Sequence, residues 1–279
     1  MRHFKGTTLV ELMVSLAISA FLCLFCIQLF TTIKQIFSKQ HALAHIQENA
    51  RVIQSLLGDA IAFSGNIGCS AFTPEIAVSI HEGVDGNHYG LIPFVPIIGV
   101  SEEKIKNNPL SPKTLTMRIL SESDIIWIKS TKSKKQKAFK NTVIAVSDCA
   151  QVDFIKISDK LEEGILSKKY PENKFVGALT SQLFYVGDTG RKNNKGNPIY
   201  ALYSTDLNDQ TLELAEGVKA LKILYGTGVG HARTYGNFEQ VTDWNQISCV
   251  KVSVLLSAIE EEIQSWWTYE WPLKRKEVF

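Results

Sequence analysis

Several residue types are scarce in this chain of 279 residues, and each scarcity excludes a class of protein. Five cysteines are too few for a scaffold built on disulfides, and 8 prolines with 18 glycines are too few for a disordered or collagen-like chain. Neither sign of charge dominates, since 30 basic residues oppose 28 acidic ones, so a global basic field for nucleic acid is absent. Charged residues still make up 21% of the chain, which is too many for a polytopic membrane protein.

Long apolar runs are also scarce, and the chain contains only one, near its N-terminus. Residues 9–30 are apolar apart from Glu11 and a few uncharged polar residues, and neither proline nor glycine interrupts them. As a helix this run is about 33 Å long, which matches the hydrocarbon core of a bilayer. Arg2 and Lys5 precede it, so the positive-inside rule places the N-terminus in the cytoplasm. The sequence therefore predicts a single membrane span with the residues beyond about 40 outside the bilayer.

The carboxylate inside this run, Glu11, is the feature that an ordinary membrane anchor does not need. An acidic residue in a bilayer costs about 2.5–3.5 kcal/mol, and it marks a functional site by default because lipid offers it no partner. The alternative interpretation is a shallow position, in which the span is shifted toward the C-terminus and Glu11 reaches the headgroups.

A second apolar pattern extends the helix beyond the membrane run. Within residues 43–61, apolar side chains recur three and four positions apart, with polar residues beside them. We therefore predict one helix over residues 9–63, ended by Gly65 and Asn66, with its second half laid on a sheet. Gly58 costs about 1 kcal/mol relative to alanine inside a helix, so it indicates a bend or a close contact.

Residues beyond about 70 are predicted to form strands and turns, which gives an α+β fold in which the helix packs on an antiparallel sheet. The segment from Asp188 to Pro198 is predicted to be an exposed hairpin loop. The predicted strands are Leu115–Leu120, Ile125–Lys129, Thr142–Val146, Val152–Ile157, Gln182–Val186, Ile199–Ser204, Leu212–Ala215, Ala220–Tyr225 and Ser248–Ser257.

The N-terminal sequence resembles the cleavage and methylation signal of type IV prepilins. A short basic leader ends in Gly6, and the apolar run opens with Thr7 and carries Glu11 four positions later. The resemblance implies that prepilin peptidase cuts between Gly6 and Thr7 and methylates the new amine of Thr7, although phenylalanine is commoner there. Glu11 would then pair with the amine of a neighbouring subunit and set the stagger between helices.

Further segments are similar to minor pilins of the PilW type, and they occur in the order of that family. They are residues 44–51, 64–69, 146–149, 202–203, 213–218, 224–226 and 244–257. Two departures are the missing aspartates after Gly226 and a C-terminus that stops where the family usually has a further strand. The resemblance implies a leader at 1–6, a membrane and filament-core helix at 7–30, an amphipathic half at 31–64 and a β-rich periplasmic head at 65–279.

The function implied by the resemblance is that of a minor pilin in type IV pilus assembly. It would initiate the filament at its tip and indirectly support twitching motility, adhesion or DNA uptake. The implied partners are prepilin peptidase, other minor pilins, the major pilin and the inner-membrane assembly platform, with no cofactor, metal or enzymatic activity. The subunit would wait in the inner membrane and then move to the pilus tip. A type II secretion pseudopilin shares the N-terminal signal and is the alternative, and a membrane-anchored periplasmic enzyme is a second one.

The five cysteines fall into two groups. Cys23 and Cys26 lie in the apolar run, where they are predicted to act as small apolar residues rather than as a redox or metal site. Cys69, Cys149 and Cys249 lie outside it, and three thiols allow three single pairings. Cys249 lies in an alternating strand and is predicted to be a buried thiol. The family resemblance points to Cys69 and Cys149 as the disulfide pair.

Three other clusters are better explained by ordinary structure than by a binding site. The lysine run from Lys129 to Lys140 is a weak candidate for holding phosphates, because such runs are usually solvated loops or guards of a sheet edge. The segment 81–88 matches no common zinc spacing and predicts an exposed turn. The glycines of residues 226–231 are misplaced for a nucleotide loop and also predict a turn.

Overall fold

A single long helix, α1 (Leu9–Ala62), begins the part of the chain that the computed structural model describes. Its 54 residues correspond to a length of about 81 Å. The predicted helix is confirmed to within one residue at its end. Gly65 adopts a positive φ of 67°, a backbone conformation that favours glycine and ends the helix. The described residues are 9–68, 72, 75–81, 84, 94–106, 119–120, 123–133, 142–148, 150–157, 175–206, 210–228, 233–260 and 262–273.

The remaining described elements are mostly strands, as an α+β fold requires. They are β1 (Ala77–Ile80), β2 (Ile97–Val100), α2 (Glu102–Lys106), β3 (Ile125–Ser133), β4 (Val143–Ser147), β5 (Gln151–Lys156), β6 (Phe175–Lys192), β7 (Pro198–Asp206), β8 (Thr211–Glu216), β9 (Val218–Thr227), β10 (Thr234–Gly236), a 3₁₀ helix (Trp244–Gln246), β11 (Ile247–Ser257) and β12 (Gln264–Pro272).

These strands form two sheets that are antiparallel except for the parallel pair of β1 and β5. In the larger sheet the order is β1-β5-β4-β6-β3-β2, and β7 and β8 extend it from β6. The long strand β6 makes this branching possible, because one of its edges pairs first with β4 and later with β7. The smaller sheet has the order β10-β9-β11-β12.

The second half of α1 is packed into a core that both sheets share. Its buried residues lie on one side of the helix, and they are Ala42, Ile46, Ala50, Ile53, Leu57, Gly58 and Ile61. The same hydrophobic cluster takes Ile126 and Phe184 from the larger sheet and Val252 and Val254 from the smaller one. This arrangement confirms the predicted fold, in which an amphipathic half-helix lies on an antiparallel head.

Other parts of the structure differ from the predictions or leave them untested. The predicted loop from Asp188 to Pro198 is shorter, because β6 continues to Lys192 and pairs there with β7. The strands β1, β2, β10 and β12 were not predicted; the first three have three or four residues each, too few to show an alternating pattern. Most of the predicted strand Leu115–Leu120 lies outside the described residues.

Candidate functional site in the helix and its seat on the head

The first part of α1 projects from the head as an exposed rod, which is apolar over residues 9–30. Every residue from Leu9 to His41 is exposed, and Ala42 is the first that the head buries. The large apolar side chains of this segment are 47–77% exposed, from Leu29 to Leu9. The segment is about 50 Å long. By length and composition α1 is the one helix in the described part of the chain that could cross a membrane. A surface so apolar requires cover from lipid or from other helices.

Glu11 lies in the first turn of this rod and is exposed. A carboxylate in the first turn interacts favourably with the dipole at the N-terminus of a helix. The structure thus places Glu11 on the helix surface at the membrane end, where a second helix can contact it. Gly6 and Thr7, the predicted cleavage and methylation sites, lie outside the described residues, so their roles stay predictions.

The head holds α1 through two hydrogen bonds between a side chain and a backbone carbonyl. The side-chain amide of Asn49 donates to the carbonyl of Glu216 in β8 at 2.9 Å. The hydroxyl of Tyr269 in β12 donates to the carbonyl of Ala50 at 3.0 Å. These contacts fix the rotation of the helix relative to the head near the start of its buried half.

A third contact explains the glycine inside the helix. A Cβ added to Gly58 would lie 2.7 Å from Nε1 of Trp271 in β12, closer than real Cβ contacts. The close contact was one of the two predicted explanations for Gly58, and it is confirmed. Helix and strand therefore approach each other at this position only because no side chain separates them.

Sequence analysis missed the strand that supplies these contacts. Residues 264–272 alternate between an exposed face and a half-buried face, and the half-buried face carries Trp267, Tyr269 and Trp271. This alternation of aromatic with polar residues was a usable signal for a strand.

Lys129 is not part of a solvated lysine run, contrary to the expectation from the sequence. It lies in β3 with 2% exposure, and its Nζ donates to the carbonyl of Val95 at 3.0 Å and lies 4.6 Å from the centre of the Trp127 ring. Burial lowers the pKa of Lys129 to about 7. Strand alternation turns this lysine inward, whereas Lys132 on the same strand is exposed. Lys129 therefore cannot hold a phosphate, and the lysines from 134 to 140 lie outside the described residues.

Three of the five cysteines lie within the described residues, and two lie outside them. Cys23 and Cys26 are free and exposed on the apolar rod, and Cys249 is free and buried, which confirms its prediction as a buried thiol. Cys249 lies on β11 beside Gly226, where an added Cβ would come within 2.3 Å of its Sγ. Cys69 and Cys149 lie outside the described residues, so their pairing stays a prediction.

His81, the first residue of the predicted turn at 81–88, is tied to the sheet. Its Nε2 lies 3.2 Å from Oδ2 of Asp153 in β5, whose side chain is 1% exposed. Most of the remaining turn lies outside the described residues. Within the described ranges, no group of three or more histidine, cysteine, aspartate or glutamate side chains is placed to hold a metal ion.

Two protein-family models match this chain, one near its N-terminus and one toward its C-terminus. The family model of the prokaryotic N-terminal methylation motif matches residues 1–27, and that of type IV pilus-assembly protein W, PilW, matches residues 184–276. Together the two matches support a prepilin-like protein of the PilW type. Comparison with curated proteins finds no significant match, and comparison with solved structures finds none either.

The two matches fall on the functional parts of this PilW-type protein. The N-terminal match covers the first part of the apolar rod, including Glu11, and the PilW match covers all of β8, β11 and β12, which contact α1. The two matches support a minor-pilin role related to the type IV pilus. The family implies a single membrane-anchoring helix and interactions with other pilins and the pilus assembly machinery. This family suggests a structural and not an enzymatic protein.

Proposed function

We propose that this PilW-type protein takes part in type IV pilus assembly by helping to initiate the filament at its tip. The main supporting observation is the division of α1 into an exposed rod over residues 9–41, apolar over 9–30, and a second half that packs on the head. Such a rod is stable in a bilayer and equally stable among parallel helices of other subunits. The head stands in the periplasm during storage and at the pilus tip after extraction. Twitching motility, adhesion or DNA uptake follow indirectly from the pilus.

The proposal includes maturation at the membrane end. Prepilin peptidase cuts between Gly6 and Thr7 and methylates the Thr7 amine. The carboxylate of Glu11 then pairs with the amine of a neighbouring subunit during entry into the filament. In surroundings of low dielectric constant this pairing is strong and its loss is costly, so it selects the correct stagger between helices. The assembly platform, other minor pilins and the major pilin are the partners of this step.

The maturation step is tested by mass spectrometry of the N-terminal peptide from membranes and from sheared pili. The expected peptide starts at a methylated Thr7. Replacement of Gly6 by a bulky residue should leave the leader attached, because the peptidase must approach the backbone closely at the cut. A mature protein of normal size from that variant, or an uncleaved wild-type N-terminus, would contradict the proposal. An uncleaved N-terminus would favour a membrane-anchored enzyme instead.

The assembly step is tested by Glu11→Ala, with Glu48→Ala as the matched control. Both remove an exposed carboxylate from α1, but Glu48 lies beyond the apolar rod. Glu11→Ala should insert into the membrane at least as well as wild type, since it removes a penalty of about 2.5–3.5 kcal/mol, and the distant head should keep its fold. Pilus number should fall without a fall in protein level. Glu11→Asp should rescue assembly only in part, because its side chain is shorter.

The PilW match favours this pilus role over that of a type II secretion pseudopilin. The two roles are separated by deleting the gene and measuring both pilus number and the export of secreted proteins. The proposal expects pili to be lost while secretion continues. Normal pili with failed secretion would reverse the assignment.

A further inference from the structure

The outer edge of β12 is the longest unpaired strand edge in the described part of the head. β12 has 9 residues, whereas the other edge strands β1, β2, β8 and β10 have 4, 4, 6 and 3 residues. The C-terminal end of β8 contacts α1 through Glu216, and β2 packs at Gly99 against Phe238. No described strand pairs with the outer side of β12. This edge is therefore the main candidate for pairing with another chain.

The hydrogen-bond register shows which backbone groups this edge offers. The N–H of Leu273 donates to the carbonyl of Ser248 at 2.9 Å, and the same register continues along the whole of β12 without a shift. In an antiparallel pair, residues alternate between facing the partner strand and facing away from it. The backbone groups of Gln264, Trp266, Thr268 and Glu270 consequently point away from β11, toward the open side. Only an extended backbone matches this spacing of donors and acceptors.

Natural sheet edges carry features that prevent pairing with other chains, and on β12 these features are confined to one end. Glu270 accepts hydrogen bonds from Arg233 and from the hydroxyl of Tyr235, each at 2.9 Å, and Pro272 lacks an N–H. Toward the other end, the edge has neither a bulge nor a charge of its own, and Trp266 is 48% exposed. The stretch from Gln264 to Thr268 is thus the open part.

The direction of β12 restricts what can pair with it. Tyr269 contacts α1 at Ala50 and Trp271 contacts it at Gly58, so β12 runs in the same direction as the helix. Subunits anchored in one membrane have parallel helices. An antiparallel pair of two β12 strands would point their helices in opposite directions, so a second copy paired in that way does not fit.

The surface beside the open edge indicates the chemistry of the partner strand. Nζ of Lys222 lies 5.4 Å from the centre of the Trp266 ring on the exposed face of the sheet. A strand added there meets an aromatic ring and a cation, so apolar and acidic side chains suit its facing positions.

We infer that the open edge of β12 takes a strand from the head of a different pilin subunit, which extends the four-stranded sheet across the subunit boundary. This inference rests on the proposed minor-pilin function and names a surface that carries it. Backbone hydrogen bonds supply the attachment, and Trp266 with Lys222 selects the strand. β12 also packs against α1, so its open edge lies beside the helix.

The first test places a photo-crosslinking amino acid at Thr268 of the full chain in piliated cells, with the same residue at Lys132 as the control. Lys132 is exposed but belongs to the larger sheet. Mass spectrometry should identify a different pilin in the Thr268 product and not in the Lys132 product. A product with a second copy of this chain, a product with a protein that is not a pilin, or no product from Thr268 would overturn the inference.

The second test compares Thr268→Pro with Thr268→Ala. Both variants lose the hydroxyl contact with Ser253 at 2.9 Å, but only proline removes the outward N–H. Because that N–H does not bond to β11, the head should fold in both, as normal protein level and leader cleavage would show. Thr268→Pro should weaken co-purification with the crosslinked pilin by about two- to tenfold relative to Thr268→Ala, the effect of one backbone hydrogen bond. Equal co-purification would overturn the inference.

The two proposals fail in distinguishable ways. If Glu11→Ala abolishes pili while Thr268→Pro co-purifies with its neighbour like the alanine variant, the edge inference fails and the minor-pilin function stands. If deletion of the gene leaves pilus number unchanged, the minor-pilin function fails.

Discussion

The buried lysine of β3 leads to a prediction about the pH dependence of stability. Lys129 is 2% exposed and its Nζ has one hydrogen bond, to the carbonyl of Val95, in addition to its contact with the Trp127 ring. Burial disfavours the charged form, so the pKa falls from 10.5 to about 7 on folding. Replacement by methionine keeps the length of the side chain and removes the charge.

The sign and size of the effect follow from proton linkage. The unfolded chain binds a proton at Lys129 up to about pH 10.5, whereas the folded chain releases it above about pH 7. Folding stability therefore rises with pH between these values, and the cost of burial is fully present below pH 7. A shift of this size corresponds to about 4–5 kcal/mol in total. Between pH 7 and pH 9, wild type should gain about 2 kcal/mol relative to Lys129→Met.

The assay is thermal unfolding of the purified full chain in detergent, followed by tryptophan fluorescence at pH 7, 8 and 9. A gain of about 2 kcal/mol corresponds to a rise of about 4–8 °C in the melting temperature of wild type relative to Lys129→Met. Lys132→Met is the matched control, since this lysine is exposed on the same strand, and it should follow wild type. Parallel pH dependences of wild type and Lys129→Met would refute the reasoning.

Two further predictions concern the contact between α1 and β12 and the redox state of the head. Gly58→Val should destabilise the head by about 1–3 kcal/mol, because its side chain would collide with Trp271. The control Ser55→Val lies on the exposed face of α1 and should change stability far less. Equal melting temperatures of the two variants would contradict the close contact. Cys69 and Cys149 should form a disulfide that stabilises the head by about 4 kcal/mol, and non-reducing peptide mapping that joins either cysteine to another partner would disprove the pairing.

The sequence was sufficient wherever one local pattern had one physical solution. The apolar run, its preceding basic residues and the stripe that follows it predicted α1, and Gly65 marked its end because only a residue without Cβ adopts that backbone conformation readily. The prepilin signal around Gly6 and Glu11 was readable for the same reason, since a peptidase acts on a short linear segment. The N-terminal family match supports that interpretation.

Tertiary structure decided whatever depended on segments far apart in the chain. The choice between a bend and a close contact at Gly58 required Trp271, which lies more than two hundred positions later and belongs to a strand that sequence analysis missed. The burial of Lys129 depends on which face of β3 packs on the core. The sequence alone does not reveal this, because it contains the same lysines whichever face turns inward. The open edge of β12 likewise follows from sheet order, since hydrogen-bond partners across a sheet are set by packing and not by local sequence.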